Sequence, residues 1–251
     1  MKTITKLISG AFAATLVVGV LTATGAVGDI FVSDVANNVI HKLASDGTEY
    51  ALFATGLATP EALAFDSAGN LFEADLGSGR ILKFTPDGTQ SIFASGLNVP
   101  YGLAFDSAGY LFEADYGSGT IYKFAPDGTR TIFASGTSCV ALAFDSAGNL
   151  FASAYSSGQI LKFTPDGTQS ILASGLSNPV GLAFDSAGYL FEADGGSFNI
   201  YKFAPDGTQS TFATGLNGPD GFRQCGLPFR PRRFQRDALQ ICSRRDVEHF
   251  C

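Results

Sequence analysis

The chain of 251 residues has little of the chemistry that enzymes commonly use, with two histidines, no tryptophan and only 16% charged residues. So few imidazoles give no indication of histidine acid–base catalysis. No apolar period of a helix runs through its middle part, which argues against a helical domain. The net charge of −7 disfavours nucleic acid as a partner. An apolar fraction of 45% excludes general disorder, and the length suits one large domain.

The amino-terminal segment has the pattern of a secretory leader. Lys2 and Lys6 precede an apolar stretch over residues 7–21, and small residues follow it. Thr24 and Ala26 suit a cleavage site, so we expect residues 1–26 to be removed after Ala26. A retained anchor is the alternative, although the stretch is short for a membrane span. The mature chain is expected to be secreted, or to lie in the periplasm or cell envelope, with no membrane span.

Cysteine is scarce and has no metal-binding spacing. The four cysteines are Cys139, Cys225, Cys242 and Cys251. No CxxC pair exists, so a zinc site is not indicated. Export would permit disulfides, but we interpret these cysteines as incidental rather than as a framework.

The middle of the chain is one unit repeated. Residues 62–101, 102–140, 141–180 and 181–220 are four copies, and residues 28–61 form a partial copy without the opening segment. The marker residues Phe65, Phe105, Phe144 and Phe184 recur at intervals of 40, 39 and 40. Such a period indicates a repeat architecture in which each unit packs on its neighbours.

Each unit contains four short strand candidates, which in the first complete copy are residues 63–65, 71–74, 81–84 and 91–94. Turn signals separate them, namely Asp66–Gly69, Gly77–Gly79 and Pro86–Gly88. Four strands in about 40 residues are typical of a β-propeller blade. A β-solenoid is the alternative, although its coils are usually shorter.

The motif P-x-G-L-A-F-D-x-x-G-x-L-F-x-A-D, followed by G-x-I-x-K-F and D-G, occurs at residues 100–128 and 179–207. It resembles NHL-repeat propellers and, more broadly, the streptogramin-lyase and regucalcin/gluconolactonase group. The resemblance covers residues 28–220, and the absent tryptophan disfavours a WD-type propeller. It implies a propeller fold that hosts either an enzyme or a binding protein. Lyase catalysis in that group relies on a histidine base, and neither His41 nor His249 stands in a matching motif.

The same resemblance implies a divalent-ion site at the mouth of the central channel. The relevant position is x in P-x-G, which holds Glu61, Tyr101, Val140, Val180 and Asp220. Only Glu61 and Asp220 supply carboxylate oxygens, and they are the predicted metal ligands. Calcium prefers about six to eight oxygens, so this pair would form a weak Ca²⁺ site. The expectation for cofactors is therefore none, or a divalent cation such as Ca²⁺.

Two further columns of charged residues run through the repeats. Glu73, Glu113 and Glu192 share one position in the second strand, and Lys42, Lys83, Lys123, Lys162 and Lys202 share one in the third. Cross-strand Glu–Lys pairs are the simplest explanation. Asp34, Asp75, Asp115 and Asp194 end the second strand, with Tyr155 in the remaining copy. Such aspartates are expected to cap loops.

Residues 221–251 abandon the pattern and become rich in arginine, with seven Arg against Asp237, Asp246 and Glu248. An RNA-binding tail is one interpretation. A shifted reading frame is the other: back-translated one base later, residues 223–229 are compatible with Asp-Ser-Ala-Gly-Tyr-Leu-Phe, the run found at 185–191. We therefore interpret this irregular basic tail as a frameshifted blade.

The expected fold is all-β, a propeller of about five four-stranded blades descended from a six-bladed ancestor and not fully closed. The partial first blade is expected to lack its inner strand, and closure through residues 219–227 is the alternative. The expected function is an exported, non-enzymatic binding scaffold for a protein or glycan ligand at one propeller face. A metal-dependent gluconolactonase-like hydrolase is the competing hypothesis, and a damaged copy without selected activity is the third.

Overall fold

The computed structural model describes residues 18–20, 29–43, 49–216, 219–224 and 239–243. Within these ranges the regular elements are all β-strands, and no helix there could cross a membrane. The strands form five antiparallel sheets of four strands and one of two. The fold is a β-propeller with five four-stranded blades arranged in a ring, as the repeats predicted.

The strands follow the chain in order, so each blade is a simple meander from the axis outward. Blade 1 consists of β1 (Val18–Val20), β2 (Ile30–Asp34), β3 (Val39–Leu43) and β4 (Glu49–Thr55). Blade 2 consists of β5 (Pro60–Phe65), β6 (Leu71–Asp75), β7 (Arg80–Phe84) and β8 (Gln90–Ser95). Blade 3 consists of β9 (Pro100–Phe105), β10 (Leu111–Asp115), β11 (Thr120–Phe124) and β12 (Arg130–Ser135). Blade 4 consists of β13 (Cys139–Phe144), β14 (Leu150–Ala154), β15 (Gln159–Phe163) and β16 (Gln169–Ser174). Blade 5 consists of β17 (Pro179–Phe184), β18 (Leu190–Asp194), β19 (Asn199–Phe203) and β20 (Gln209–Ala213). The sixth sheet consists of β21 (Pro219–Gln224) and β22 (Leu239–Ser243).

Turn chemistry sets the strand boundaries. In blade 2, Asp66 Oδ1 accepts hydrogen bonds from Ala68 N at 2.9 Å and Asn70 N at 2.8 Å, which closes the hairpin between β5 and β6. This is the turn predicted from Asp-Ser-Ala-Gly, and it recurs at Asp106, Asp145 and Asp185. Because the same turn fixes the same register, each complete blade pairs its strands in nearly identical fashion.

The core lies between blades, where apolar side chains of one sheet pack on the next. In a typical interface, Phe93 of β8 lies 5.0 Å from Phe72 of its own blade and 5.7 Å from Phe124 of blade 3, measured between ring centroids. Phe133 repeats this arrangement with Phe112 and Phe163. Edge-to-face aromatic contacts add to the area that each blade buries against its neighbour.

The inner strands follow one another around the axis, since β5, β9, β13, β17 and β21 contact in sequence, and β1 contacts both β21 and β5. The expectation that blade 1 lacks an inner strand is therefore wrong. Residues 18–20, which belong to the segment predicted to be a leader, occupy that position through the pairings Val18↔Val32 and Val20↔Ile30. A main-chain ladder needs no particular side chain, so a segment outside the repeat pattern can supply this strand.

The sixth position is only partly built in the described residues. Strand β22 pairs with β21 in the same register that β18 uses with β17, including a bulge beside the proline. No third strand of this sheet lies in the described part of the chain. Phe212 of blade 5, which occupies the position of Phe93, consequently remains 51% exposed.

Candidate functional site

The two ends of the disc differ in chemistry. One end carries the turns between second and third strands (residues 35–38, 76–79, 116–119, 155–158 and 195–198) and the segments that join blades (56–59, 96–99, 136–138, 175–178 and 214–216). None of these residues is charged. We call this end the neutral face.

The opposite end, the acidic face, carries the remaining hairpin turns. In the four complete blades these turns hold eight aspartates, namely Asp66, Asp87, Asp106, Asp127, Asp145, Asp166, Asp185 and Asp206. Many of them serve their own turns, as where Asp127 Oδ1 accepts a hydrogen bond from Thr129 N at 2.9 Å. Hydrogen bonds from Thr129 lower the pKa of Asp127, so its carboxylate stays charged.

Buried aspartates stabilise the loops of the neutral face through hydrogen bonds. Asp115, at the end of β10, accepts a hydrogen bond from Asn98 N at 2.7 Å on one oxygen and from Ser118 N at 3.0 Å on the other. Asp75 and Asp194 do the same in blades 2 and 5. The prediction that these residues cap loops is confirmed. The fourth blade was assigned wrongly, because the strand register places Ala154, not Tyr155, at this position.

Tyrosines line the neutral face near the axis. The rings of Tyr101 and Tyr116 meet edge-to-face, with centroids 6.2 Å apart. The hydroxyl of Tyr116 lies 3.2 Å from Ser156 Oγ, so the contact bridges blades 3 and 4. Tyr116 and Tyr155 begin equivalent turns and are half-buried. This part of the face combines flat rings with uncharged hydroxyl groups.

Backbone strain is concentrated on the same face. Among the described residues, five that are not glycine have positive φ, and all five lie in the neutral-face turns or joining segments: Asn38, Thr59, Val99, Asn178 and Phe198. Phe198 has a φ of 60°, where the equivalent turns of blades 2 and 3 have Gly79 and Gly119. A bulky residue is unfavourable in this conformation, and such outliers often occur at functional sites.

Phe198 is also 48% exposed, so neither burial nor backbone preference explains it. The sequence analysis missed this residue. Its signal was present, because the turn that reads G-S-G in blades 2 and 3 reads G-S-F at residues 196–198. Phe198 therefore joins the tyrosines as a candidate contact residue on the neutral face.

The glutamates that share one position in the second strands do not lie opposite the lysines, contrary to the prediction from the sequence. Glu73 pairs across the hairpin with Leu82, whereas Lys83 pairs with Phe72, so Glu and Lys lie on opposite faces of the blade. The predicted Glu–Lys pairs are therefore wrong. The described lysines instead lie over aromatic rings of the second strand, with Lys83 Nζ 5.3 Å from the Phe72 centroid.

Glu73, Glu113 and Glu192 are fully buried between blades. Their carboxyl oxygens accept no hydrogen bond from the described residues. Burial raises the pKa of each carboxyl to about 9, with a further contribution from the neighbouring Asp75, Asp115 or Asp194. These three side chains are consequently neutral at pH 7 and form part of the blade interfaces.

The predicted metal ligands are only partly described. Glu61 is 4% exposed, and its charge raises the pKa of Glu73, which places the two carboxyl groups near one another. Asp220 lies in β21, and its side chain is outside the described residues. The described chain contains no group of three acidic, histidine or cysteine side chains arranged for a metal. Tyr101, Val140 and Val180 add no carboxylate, so Glu61 is the one predicted ligand whose carboxyl group lies in the described residues, and the predicted calcium site stays a prediction.

His41 is the one described histidine, and its Nε2 lies 3.3 Å from Asp34 Oδ2. Its side chain is 20% exposed, so His41 is a partly buried strand residue beside an acid. Both residues belong to the same blade and occupy neighbouring strands. His249 lies outside the described residues.

The chain matches no family model and no curated protein. Solved structures resemble it closely in fold. A catalytically inactive virginiamycin B lyase from Staphylococcus aureus with quinupristin has a TM-score of 0.68 at 18% identity, covering 83% of this chain and 74% of that one. A gluconolactonase from Xanthomonas campestris has a TM-score of 0.69 at 20% identity, covering 78% and 75%.

A propeller of the nidogen/laminin complex has a TM-score of 0.69 at 23% identity, covering 76% of this chain and 80% of that one. These neighbours include both enzymes and a protein-binding complex, so the likeness supports the fold and leaves the function open. The protein therefore has the β-propeller fold shared by streptogramin B lyases, gluconolactonases and the nidogen propeller.

Proposed function

We propose that this protein is a non-enzymatic binding scaffold whose neutral face contacts an uncharged, hydroxyl-rich ligand such as a glycan. The observation that carries the proposal is Phe198, an exposed aromatic residue held at positive φ where the equivalent turns of blades 2, 3 and 4 use glycine. Exposure and strain both cost stability, so a role in contact explains why the residue is present.

The composition of the neutral face supports the same ligand class. Tyr101 and Tyr116 present rings that can pack on the C–H faces of a sugar, and Ser156 presents a hydroxyl beside them. Tyrosine offers rigid, amphipathic contact area at a low entropic cost. The loops of this face carry no charge that would have to be desolvated against a neutral ligand.

Affinity electrophoresis through gels that contain neutral polysaccharides tests the proposal. We expect at least one neutral polysaccharide to retard the protein, and we expect Phe198→Gly to reduce the retardation at least about threefold. Phe212→Ser provides a matched control, because Phe212 is equally exposed but lies in an outer strand. Equal retardation of the parent and Phe198→Gly, or no retardation by any neutral polysaccharide, would contradict the proposal.

The alternative proposal is a metal-dependent hydrolase that uses Glu61 and Asp220. The gluconolactonase among the structural neighbours supports it, as does the buried carboxyl of Glu61 close to Glu73. A site of this kind predicts a melting temperature that rises with calcium in the parent and not in Glu61→Gln. A melting temperature that calcium leaves unchanged in the parent would exclude this alternative.

A further inference from the structure

The strand β1 belongs to a segment that is expected to be removed. Its residues, Val18–Val20, fall inside the apolar part of the predicted leader, and they pair with Ile30–Val32 as the inner strand of blade 1. We propose that loss of residues 1–26 leaves a vacant inner-strand position in blade 1, and that this position binds an uncharged, extended donor strand from a partner protein. The proposal does not depend on the ligand of the neutral face.

The geometry of the ring defines the vacancy. Strand β1 contacts β5 of blade 2 on one side and β21 on the other. Without β1, blade 1 keeps only β2, β3 and β4, and the main-chain groups of β2 that face the axis lose their ladder partners. An unpaired strand edge is a template for pairing. Because inner strands flank this edge on both sides, it admits a single strand rather than another sheet.

The surroundings define the chemistry of the donor. Ile30, Phe31 and Val32 are between 4% and 8% exposed, so a charged side chain beside them would be buried without a partner. The residues of β1 are Val-Gly-Val, which carry no charge. The inner strands of the other four blades contain six residues, whereas β1 contains three. The described ladder of β1 has three residue pairs, and a longer donor strand can form more main-chain hydrogen bonds there.

The experiment uses the full chain with a protease recognition sequence inserted directly after Ala26. After purification, cleavage and removal of the released leader, we expect the melting temperature to fall by about 5 °C or more, because one strand ladder is lost. A synthetic peptide of residues 15–23 serves as the donor probe. We expect it to bind at one peptide per chain and to restore at least half of the lost melting temperature. The same peptide with Gly19→Pro is the control, since proline interrupts a ladder.

Three results would overturn the proposal: cleavage that leaves the melting temperature unchanged, equal stabilisation by both peptides, or a cleaved protein that forms dimers which the peptide does not disperse. The last result would assign the position to a second copy of this chain. A variant of the uncleaved chain gives an independent measurement. Gly19→Pro should lower the melting temperature, whereas Gly10→Pro, outside β1, should not; equal effects would also contradict the assignment.

Discussion

Lys202 Nζ lies 3.6 Å from the centre of the Tyr189 ring, which is the shortest of the cation–π contacts in the described residues. Tyr189 ends the turn that joins the first two strands of blade 5, and Tyr110 has the same role in blade 3, 4.1 Å from Lys123 Nζ. Blade 2 has Asn70 at this position, and the Asn70 amide bonds Asp66 instead. The lysine column thus stabilises turns of the acidic face through aromatic rings rather than through the glutamates.

The lysine contacts predict a graded effect of substitution. Lys202→Gln should lower stability by about 1 kcal/mol, since the ammonium is lost from two aromatic rings. Lys83→Gln should cost less, because Lys83 lies over Phe72 alone. Thermal melting checks this, and a difference of about 2–4 °C between parent and Lys202→Gln is expected. Equal losses in the two variants would contradict a role for the tyrosine.

The buried glutamates predict a loss of stability at alkaline pH. The pKa of Glu113 is about 9 in the folded protein and ordinarily 4.5, so the folded state holds this proton more tightly than the unfolded state. Its contribution is complete below pH 4.5 and is lost progressively as the pH rises to about 9. The melting temperature of the parent should therefore fall by about 5 °C or more between pH 5 and pH 9.

Replacement of Glu113 by glutamine removes this titration. Glu113→Gln should melt above the parent at pH 9 and within about 2 °C of it at pH 4.5. Asp127→Asn is the matched control, because Asp127 is exposed and its pKa is lowered, so its titration affects only the acid side. A Glu113→Gln variant with the same alkaline decline as the parent would show that Glu73 and Glu192 or other groups cause it.

The close approach of inner strands predicts a steric effect at Gly102. A Cβ atom there would lie 2.9 Å from Val140 O and 3.0 Å from Ala141 Cα, which are backbone atoms of the next blade. Gly102→Ala should therefore destabilise the protein by about 1–3 kcal/mol through displacement of blade 4. Blade 2 has Ala62 at the same position, so Ala62→Gly provides the reverse substitution. Chemical denaturation measures both, and a neutral Gly102→Ala would contradict the packing described.

Replacement of Phe198 is expected to increase the stability of the protein. Phe198→Gly should gain about 1 kcal/mol, because glycine adopts positive φ without the penalty that phenylalanine incurs. Phe198→Ala separates the two effects, since it removes the ring and keeps the backbone penalty. A melting temperature of Phe198→Gly at or below that of Phe198→Ala would contradict the backbone penalty, whereas a Phe198→Ala variant that melts below the parent would show that the ring itself stabilises the turn.

The turn residues of the repeats were sufficient to predict the blades. Asp66 and its equivalents, each followed by Ser-Ala-Gly, mark the hairpins, and the structure forms those turns with the predicted side-chain bonds. The predicted pairing of Glu73 with Lys83 was wrong, because the strand register decides on which face of the blade each side chain lies. The four-residue turn 76–79 makes Asp75 pair with Arg80, so Glu73 must pair with Leu82. Turn length would have given the correct pairing.

Two other features could not follow from the repeat alone. Strand β1 has no counterpart in the unit, and its apolar composition indicates a leader as readily as a strand. The burial of Glu73 depends on the neighbouring blade, which a single unit does not contain. The strain at Phe198 was detectable, since only the comparison of G-S-F with G-S-G was needed.

The loops that carry Tyr116 and Phe198 meet solvent without a charged side chain of their own. A contact made through these loops would not depend on ionic attraction. Salt at about 1 M, which shortens the screening length to about 3 Å, would therefore leave the strength of such a contact nearly unchanged.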